Sequence, residues 1–169
     1  MWALARCVRE EAIAYCREVG QIRPGFVELL DRIAARNETV WLASGGFDFY
    51  IEALLGDLFH TGASTSVENS FSRFGRQYFN RTKFVGDRIE VEFPHHDISC
   101  EKCAVCKGNV CDLAKATGAT VNFVGDGASD RCAIGRADRI LAVRDSLLAK
   151  ACEARGVSYT PFDRFDELP

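Results

Sequence analysis

No block of lysine and arginine occurs anywhere in this chain, and basic residues are outnumbered by acidic ones, 21 to 24, for a formal net charge of −3. A protein that lives on nucleic acid normally shows a basic face, so this balance argues against such a partner. Long hydrophobic runs are missing as well: nothing approaches the ~18 apolar residues of a membrane span. The opening "MWALARCVREEAIAYCREVG" spreads charges throughout and has no apolar h-region. It does not read as a signal peptide, and the cytoplasm is the expected compartment. Internal repeats, low-complexity tracts and domain-splitting linkers are also lacking. What is present is an ordinary globular balance, 47% apolar and 27% charged over 169 residues, enough for one domain with its own core.

Hydrophobic periodicity organises the chain. Residues 1–19 place Leu4, Cys7, Val8, Ala12, Ile13, Tyr15 and Cys16 on one stripe of an amphipathic helix that Gly20 ends. "IRPGFVELLDRIAARN" predicts a second helix, with Pro24 in its first turn. "TVWLAS" reads as a buried parallel strand, and "DFYIEALLGDLF" as the helix after it. Residues 60–77 lack periodicity and read as an irregular insertion, whereas "QYFNRTKFVGDRIEVEFP" alternates on either side of Gly86-Asp87 and predicts a hairpin. A cysteine-rich loop, the helix "GNVCDLAKATG", the strand "TVNFVGD", a short helix from Ser129, the strand "RILAV", the helix "DSLLAKACEARG" and a last strand near "VSYTPF" complete the order. Alternating strands and helices predict a doubly wound parallel α/β sheet.

Ligands of such sheets bind beyond the carboxyl ends of the strands. Two strand ends here carry suggestive chemistry. Ser44-Gly45-Gly46 offers a hydroxyl and unobstructed backbone N–H groups at the entry to a helix, a cradle for phosphate oxygens, although Gly-Gly is also a common turn. Gly125-Asp126-Gly127-Ala128-Ser129-Asp130 places two carboxylates four residues apart, suited to a hard divalent cation, although Ser129 or Asp130 also fits a helix cap and Asp126 a turn. Lys107 begins the helix before that strand, where a cation neutralises a phosphoryl group crowded by carboxylates.

Eight cysteines form the other notable feature. Cys7, Cys16, Cys132 and Cys152 stand singly and read as small buried hydrophobes. Cys100, Cys103, Cys106 and Cys111 make a C-x2-C-x2-C-x4-C cluster, with His95 and His96 upstream. That set has enough soft ligands for zinc, its first three members suit an iron–sulfur loop, and reduced packing cysteines are the alternative.

Ser44 in "LASGG", Lys107 in "CKGNV", and Asp126 with Asp130 in "GDGASD" fall in the order and spacing of motifs II, III and IV of the haloacid dehalogenase superfamily. The stretches "IRPGF", "SGGFDFYIEALL", "VEFPHHD" and "VSYTPFDRFDEL" are similar to its phosphoserine-phosphatase-like subfamily, from about Ile22 to the end. This resemblance implies a magnesium-dependent phosphomonoesterase acting on a small phosphorylated metabolite through an aspartyl-phosphate. It assigns the phosphoryl group to Ser44, Gly45, Gly46 and Lys107. Mg2+ goes to Asp126, and Asp130 orients the metal shell and holds Lys107.

The family's first motif, D-x-D-G-T, does not occur in the sequence; before Ser44 the one aspartate is Asp31, inside a predicted helix. Residues 1–20 resemble instead the end of the family's helical cap, with residues 21–169 as the core and the hairpin and cysteine loop at 78–111. The expected sheet therefore lacks its first, central strand, leaving the "TVWLAS" and "VNFVGD" strands to pair with each other or face a gap. Three functional readings follow: a phosphatase whose nucleophile comes from an N-terminal segment or a separate chain, a catalytically silent relative that binds phosphorylated metabolites, and a metal-binding module centred on the cysteines.

Overall fold

The structure, a computed structural model, describes residues 7–59, 74–100 and 103–169. Helices α1 (Arg9–Val19) and α2 (Phe26–Ala35) come first. Strand β1 (Val40–Phe47) leads into α3 (Asp48–Phe59), then β2 (Phe74–Val85) and β3 (Arg88–Glu92) form the hairpin. After the cysteine loop come α4 (Lys107–Lys115), β4 (Asn122–Gly125), a 3-10 helix over Ala128–Ala133, β5 (Arg139–Val143), α5 (Leu147–Ala154), β6 (Thr160–Phe162) and a short 3-10 turn at Phe165–Glu167.

The alternating α/β order and its parallel pairings agree with the sequence, but the strands form two sheets. One runs β1-β2-β3 and the other β4-β5-β6. β1 pairs in parallel with the first half of β2, whose second half turns antiparallel to β3. β4, β5 and β6 are all parallel. Of the two arrangements open to β1 and β4, the gap is the one adopted: among the described residues, each is an edge strand of its own sheet. Exposure follows from this. None of the residues of β1 or β4 is fully buried, whereas β5, with a neighbour on each side, buries Ile140, Leu141 and Ala142. The expectation of a buried strand at "TVWLAS" is thus corrected: a strand with one neighbour keeps one edge open.

Two further expectations change. Phe74–Gln77, assigned to an irregular insertion, are the start of β2, paired with β1 and anchored by the buried Phe74. Their Gly-Arg-Gln composition hides a strand whose order comes from tertiary pairing; residues 60–73 lie outside the described residues. Within 1–19 the helix spans Arg9–Val19 and has no fully buried residue; Tyr15 and Val19 are well exposed. Its main neighbour is α3, through the Arg9–Glu52 ion pair and the close approach of Gly20 to Leu54. Leu4 lies outside the described residues.

Packing is organised around three clusters. Leu30, Ile51 and Phe74 join α2 and α3 to the first sheet. Ile140, Ala142, Leu148, Ala149 and Cys152 join α5 to the second sheet, with Ser146 Oγ capping α5 by accepting from Ala149 N at 3.1 Å. Leu29, Leu141, Phe162 and Leu168 tie α2 to the second sheet. The result is a groove between the facing strands β1 and β4, with α2 in contact with both sheets.

Candidate active site

The groove has a volume of about 530 Å³, and its walls bring together Ser44, Gly45, Gly46, Lys107, Asp126, Ser129 and Asp130. All the phosphate- and magnesium-directed residues singled out from the sequence therefore meet in one place. Each wall is built by a local device.

On the β1 side the ladder breaks. Ala43 pairs with Tyr78 and Phe47 with Asn80, so four steps along β1 match two along β2. Ser44-Gly45-Gly46 forms the resulting bulge, and α3 begins two residues later at Asp48. The glycines thus belong to a strand bulge rather than to the helix entry expected from the sequence. Asn80, fully buried, donates from Nδ2 to Gly45 O at 2.8 Å and fixes the bulge from behind. Ser44 Oγ accepts from Gly46 N at 3.1 Å and lies 3.1 Å from the Tyr50 hydroxyl. Tyr50 lies directly over Gly46, so that any side chain at position 46 would have to displace the tyrosine ring.

On the opposite wall Asp130, 8% exposed, turns its carboxylate back into the strand-end loop. Its Oδ2 accepts from Asp126 N at 2.9 Å and from Gly127 N at 2.8 Å. This holds the turn that presents Asp126, which is exposed and whose carboxylate accepts no hydrogen bond from the described residues. The donor set is hard oxygen: one free carboxylate, with a second beside it whose Oδ1 is unengaged. Magnesium is commonly held by one or two carboxylates with waters and substrate phosphate completing its octahedron, so these residues fit that ion.

Lys107 is the first residue of α4 and only 4% exposed. Its ammonium donates to Ser129 Oγ at 3.2 Å. The expected contact with Asp130 is not the one formed, because Asp130 is occupied by the loop N–H groups; Ser129, one residue earlier, takes the lysine. A Cβ on Gly45 would lie 3.4 Å from Lys107 Nζ, so the ammonium faces the bulge across the groove. A cation at the positive end of a helix, buried against one neutral oxygen, is electrostatically incomplete and favours an anion in front of it.

The sequence reading gave Ser129 only as a helix-cap candidate and did not single out Tyr50 or Asn80. Ser129 stood in the motif beside Asp130, but Tyr50 and Asn80 reach the site through packing that no local pattern announces.

The cysteines regroup. Cys100, Cys103 and Cys132 bring their sulfurs together, all within 4.8 Å of one another. Cys132, expected to pack alone, is in this group; Cys111, expected to belong to the loop cluster, is outside it, deep in α4 and 3% exposed. Loss of hydration pushes the Cys111 thiol up to about 11. Burial, together with the neighbouring thiols, also raises Cys103, Cys106 and Cys132. His95 stacks edge-on against Tyr78, and burial followed by the Arg81 charge holds its imidazole below the usual range. Neither His95 nor His96 is among the grouped ligands.

No protein-family model matches the chain. It is 32% identical over 166 residues to the 2-hydroxy-3-keto-5-methylthiopentenyl-1-phosphate phosphatase of Bacillus thuringiensis subsp. konkukian, covering 95% of this chain and 68% of that protein. Among solved structures it is similar to an apo phosphoserine phosphatase, with a TM-score of 0.64 and 18% identity over 97% of this chain and 72% of that one. It is also similar to a haloacid-dehalogenase-family hydrolase from Salmonella enterica serovar Typhi, with a TM-score of 0.66 and 17% identity over 98% of this chain and 50% of that one. The bulged Ser-Gly-Gly, the buried lysine at a helix start and the paired aspartates on one groove agree with that kinship: the chain belongs to the haloacid-dehalogenase-type phosphatases.

Proposed function

We propose that this chain supplies the phosphate- and magnesium-binding walls of a phosphomonoesterase that acts on a small phosphorylated metabolite. The observation that carries the reading is Lys107, buried, paired with a single neutral hydroxyl and facing the Ser44–Gly46 bulge. Ser44 Oγ donates to a phosphoryl oxygen, Lys107 neutralises a second, and Asp126 holds Mg2+ with Asp130 fixing the loop beneath it. Bound magnesium draws charge from the phosphoryl group and so favours attack on phosphorus.

The attacking carboxylate belongs between β1 and β4. Both strands turn an open edge to the groove, which supports the seating of an extended segment bearing an aspartate, by strand addition to either sheet. That segment is a further stretch of the same product or a separate chain. The exposed α1, packed on α3, supports the reading of residues 1–20 as part of a cap over the core at 21–169. Eight free thiols support a reducing, cytoplasmic setting, and no helix among the described residues is long and apolar enough to cross a membrane.

Binding tests the reading without needing the nucleophile. Inorganic phosphate titrated calorimetrically into the chain with Mg2+ present should saturate, and Lys107→Met should weaken it by at least about tenfold, the ~1.4 kcal/mol worth of one charge-assisted contact. Phosphate that fails to bind the unaltered chain, or binds the Lys107→Met variant equally well, overturns it.

A further inference from the structure

The three-sulfur group lies at the junction of α4 and the 3-10 helix Ala128–Ala133, where Lys107, Ser129 and Asp130 originate. Cys132 Sγ is 3.7 Å from Cys103 Sγ and 4.0 Å from Cys100 Sγ. A tetrahedron of thiolates around zinc, with Zn–S bonds of about 2.3 Å, has edges of about 3.8 Å. A disulfide needs about 2.05 Å, and an iron–sulfur cluster places at most two of its cysteines on one iron, so three mutually close sulfurs do not suit it. The spacing therefore suits a single metal ion.

We propose that Cys100, Cys103 and Cys132 bind one structural zinc ion, with Cys106 as the fourth ligand. Cys103 and Cys106 are buried, and Cys106, although outside the mutual spacing of the other three, stands in a C-x2-C step with Cys103, a common spacing of paired zinc ligands. Three of these ligands are close in sequence, before α4; the fourth arrives from the 3-10 helix after β4. Binding releases the thiol protons and replaces them with the metal, a reaction that conserves oxidation state. The zinc then clamps the segment entering α4 to the helix carrying Ser129, whose carbonyl oxygen already lies 3.8 Å from Cys103 Sγ. This places a staple directly behind the Lys107–Ser129 hydrogen bond. The inference stands on sulfur geometry and is independent of the phosphatase reading.

The test is metal content of the full chain, purified reduced with zinc supplied and then dialysed against metal-free buffer. One zinc per chain is expected for the unaltered protein, and less than a tenth of that for Cys103→Ser and Cys132→Ser. Cys111→Ala and Cys16→Ser should keep their zinc, which separates this folded set from the linear C-x2-C-x2-C-x4-C run. Because the serine variants can fail to fold, Co2+ is also added to the unaltered chain, where a thiolate-to-cobalt charge-transfer band is expected. A metal-free unaltered chain with no such band, zinc retained in folded Cys132→Ser, stoichiometric iron, or a Cys103–Cys132 disulfide in anaerobically purified protein would each overturn the proposal.

Discussion

Leu29 and Leu30 are adjacent on α2 and yet belong to different cores: Leu29 packs with Leu141 and Phe162 of the second sheet and with Leu168 after the last 3-10 turn, Leu30 with Phe74 of the first sheet and Ile51 of α3. One helical step of about 100° is enough to send neighbouring side chains to opposite sides of a helix edge. With no ladder joining β1 to β4, this pair carries much of the connection between the sheets. Either residue changed to alanine should destabilise the chain by about 2–5 kcal/mol, read by urea unfolding monitored at Trp41. A loss below about 1 kcal/mol for both would show that the sheets are joined elsewhere.

Gly108 marks a close approach of α4 to the 3-10 helix, since a Cβ there would overlap the carbonyl oxygen of Cys132. A backbone oxygen cannot swing aside as a side chain can. Gly108→Ala should therefore cost about 1–3 kcal/mol and lower the melting temperature by several degrees. Phosphate affinity should fall with it, because Lys107 immediately precedes the displaced residue. Unchanged melting would mean that the two helices part freely.

Asp130→Ala removes the acceptor of two loop N–H groups, those of Asp126 and Gly127. Leaving them unsatisfied should cost about 1–3 kcal/mol of stability. Magnesium affinity should fall as well, although Asp126 is intact. Asp126→Ala should show the opposite profile, with magnesium binding lost and stability nearly unchanged, since its carboxylate holds nothing in the loop. Calorimetric Mg2+ titration alongside thermal melting separates the two roles.

The Cys111 thiol gives the stability a pH signature. Its proton leaves near 9 in the unfolded chain and near 11 in the folded one. Between those values the unfolded state binds fewer protons, so stability present below pH 9 is lost as the pH rises towards 11. Cys111→Ala should flatten part of that decline in chemical denaturation curves taken across the window. An identical slope in the variant would assign the decline to other raised groups, the thiols of Cys16 and Cys152 among them.

On the proposed reading, in which the attacking aspartate is seated from outside these residues, the chain by itself should hydrolyse p-nitrophenyl phosphate at the background rate, because removing a covalent nucleophile costs many powers of ten. Robust magnesium-dependent turnover by these 169 residues, abolished in Lys107→Ala, would show instead that a carboxylate within them already attacks phosphorus.

Much of this molecule was legible before any coordinates. "DFYIEALLGDLF" and "RILAV" match α3 and β5 residue for residue, because a long apolar helix and a short β-branched run bounded by polar residues carry their own period. The groove residues were legible because small and charged groups at strand ends have few purely structural uses in combination. The start of β2 was not, since Gly75, Arg76 and Gln77 become strand only by lying alongside β1. Nor was the partnership of Cys132 with Cys100 and Cys103, which depends on the close crossing of α4 over the 3-10 helix. Sequence spacing favoured Cys111, four residues beyond Lys107; the helix carries it away from the other sulfurs.

The open edges of β1 and β4 bear on how this chain behaves in solution. Backbone donors and acceptors in an edge strand discriminate poorly among extended segments, and natural proteins usually blunt such edges with lysine, proline or a covering helix. The segment Ala43–Gly46 has none of these side chains, and on the far side Phe123–Gly125 is equally plain. A strand seated in the groove thus has a protective role separate from any chemistry it brings: it keeps two adhesive borders from meeting those of another copy.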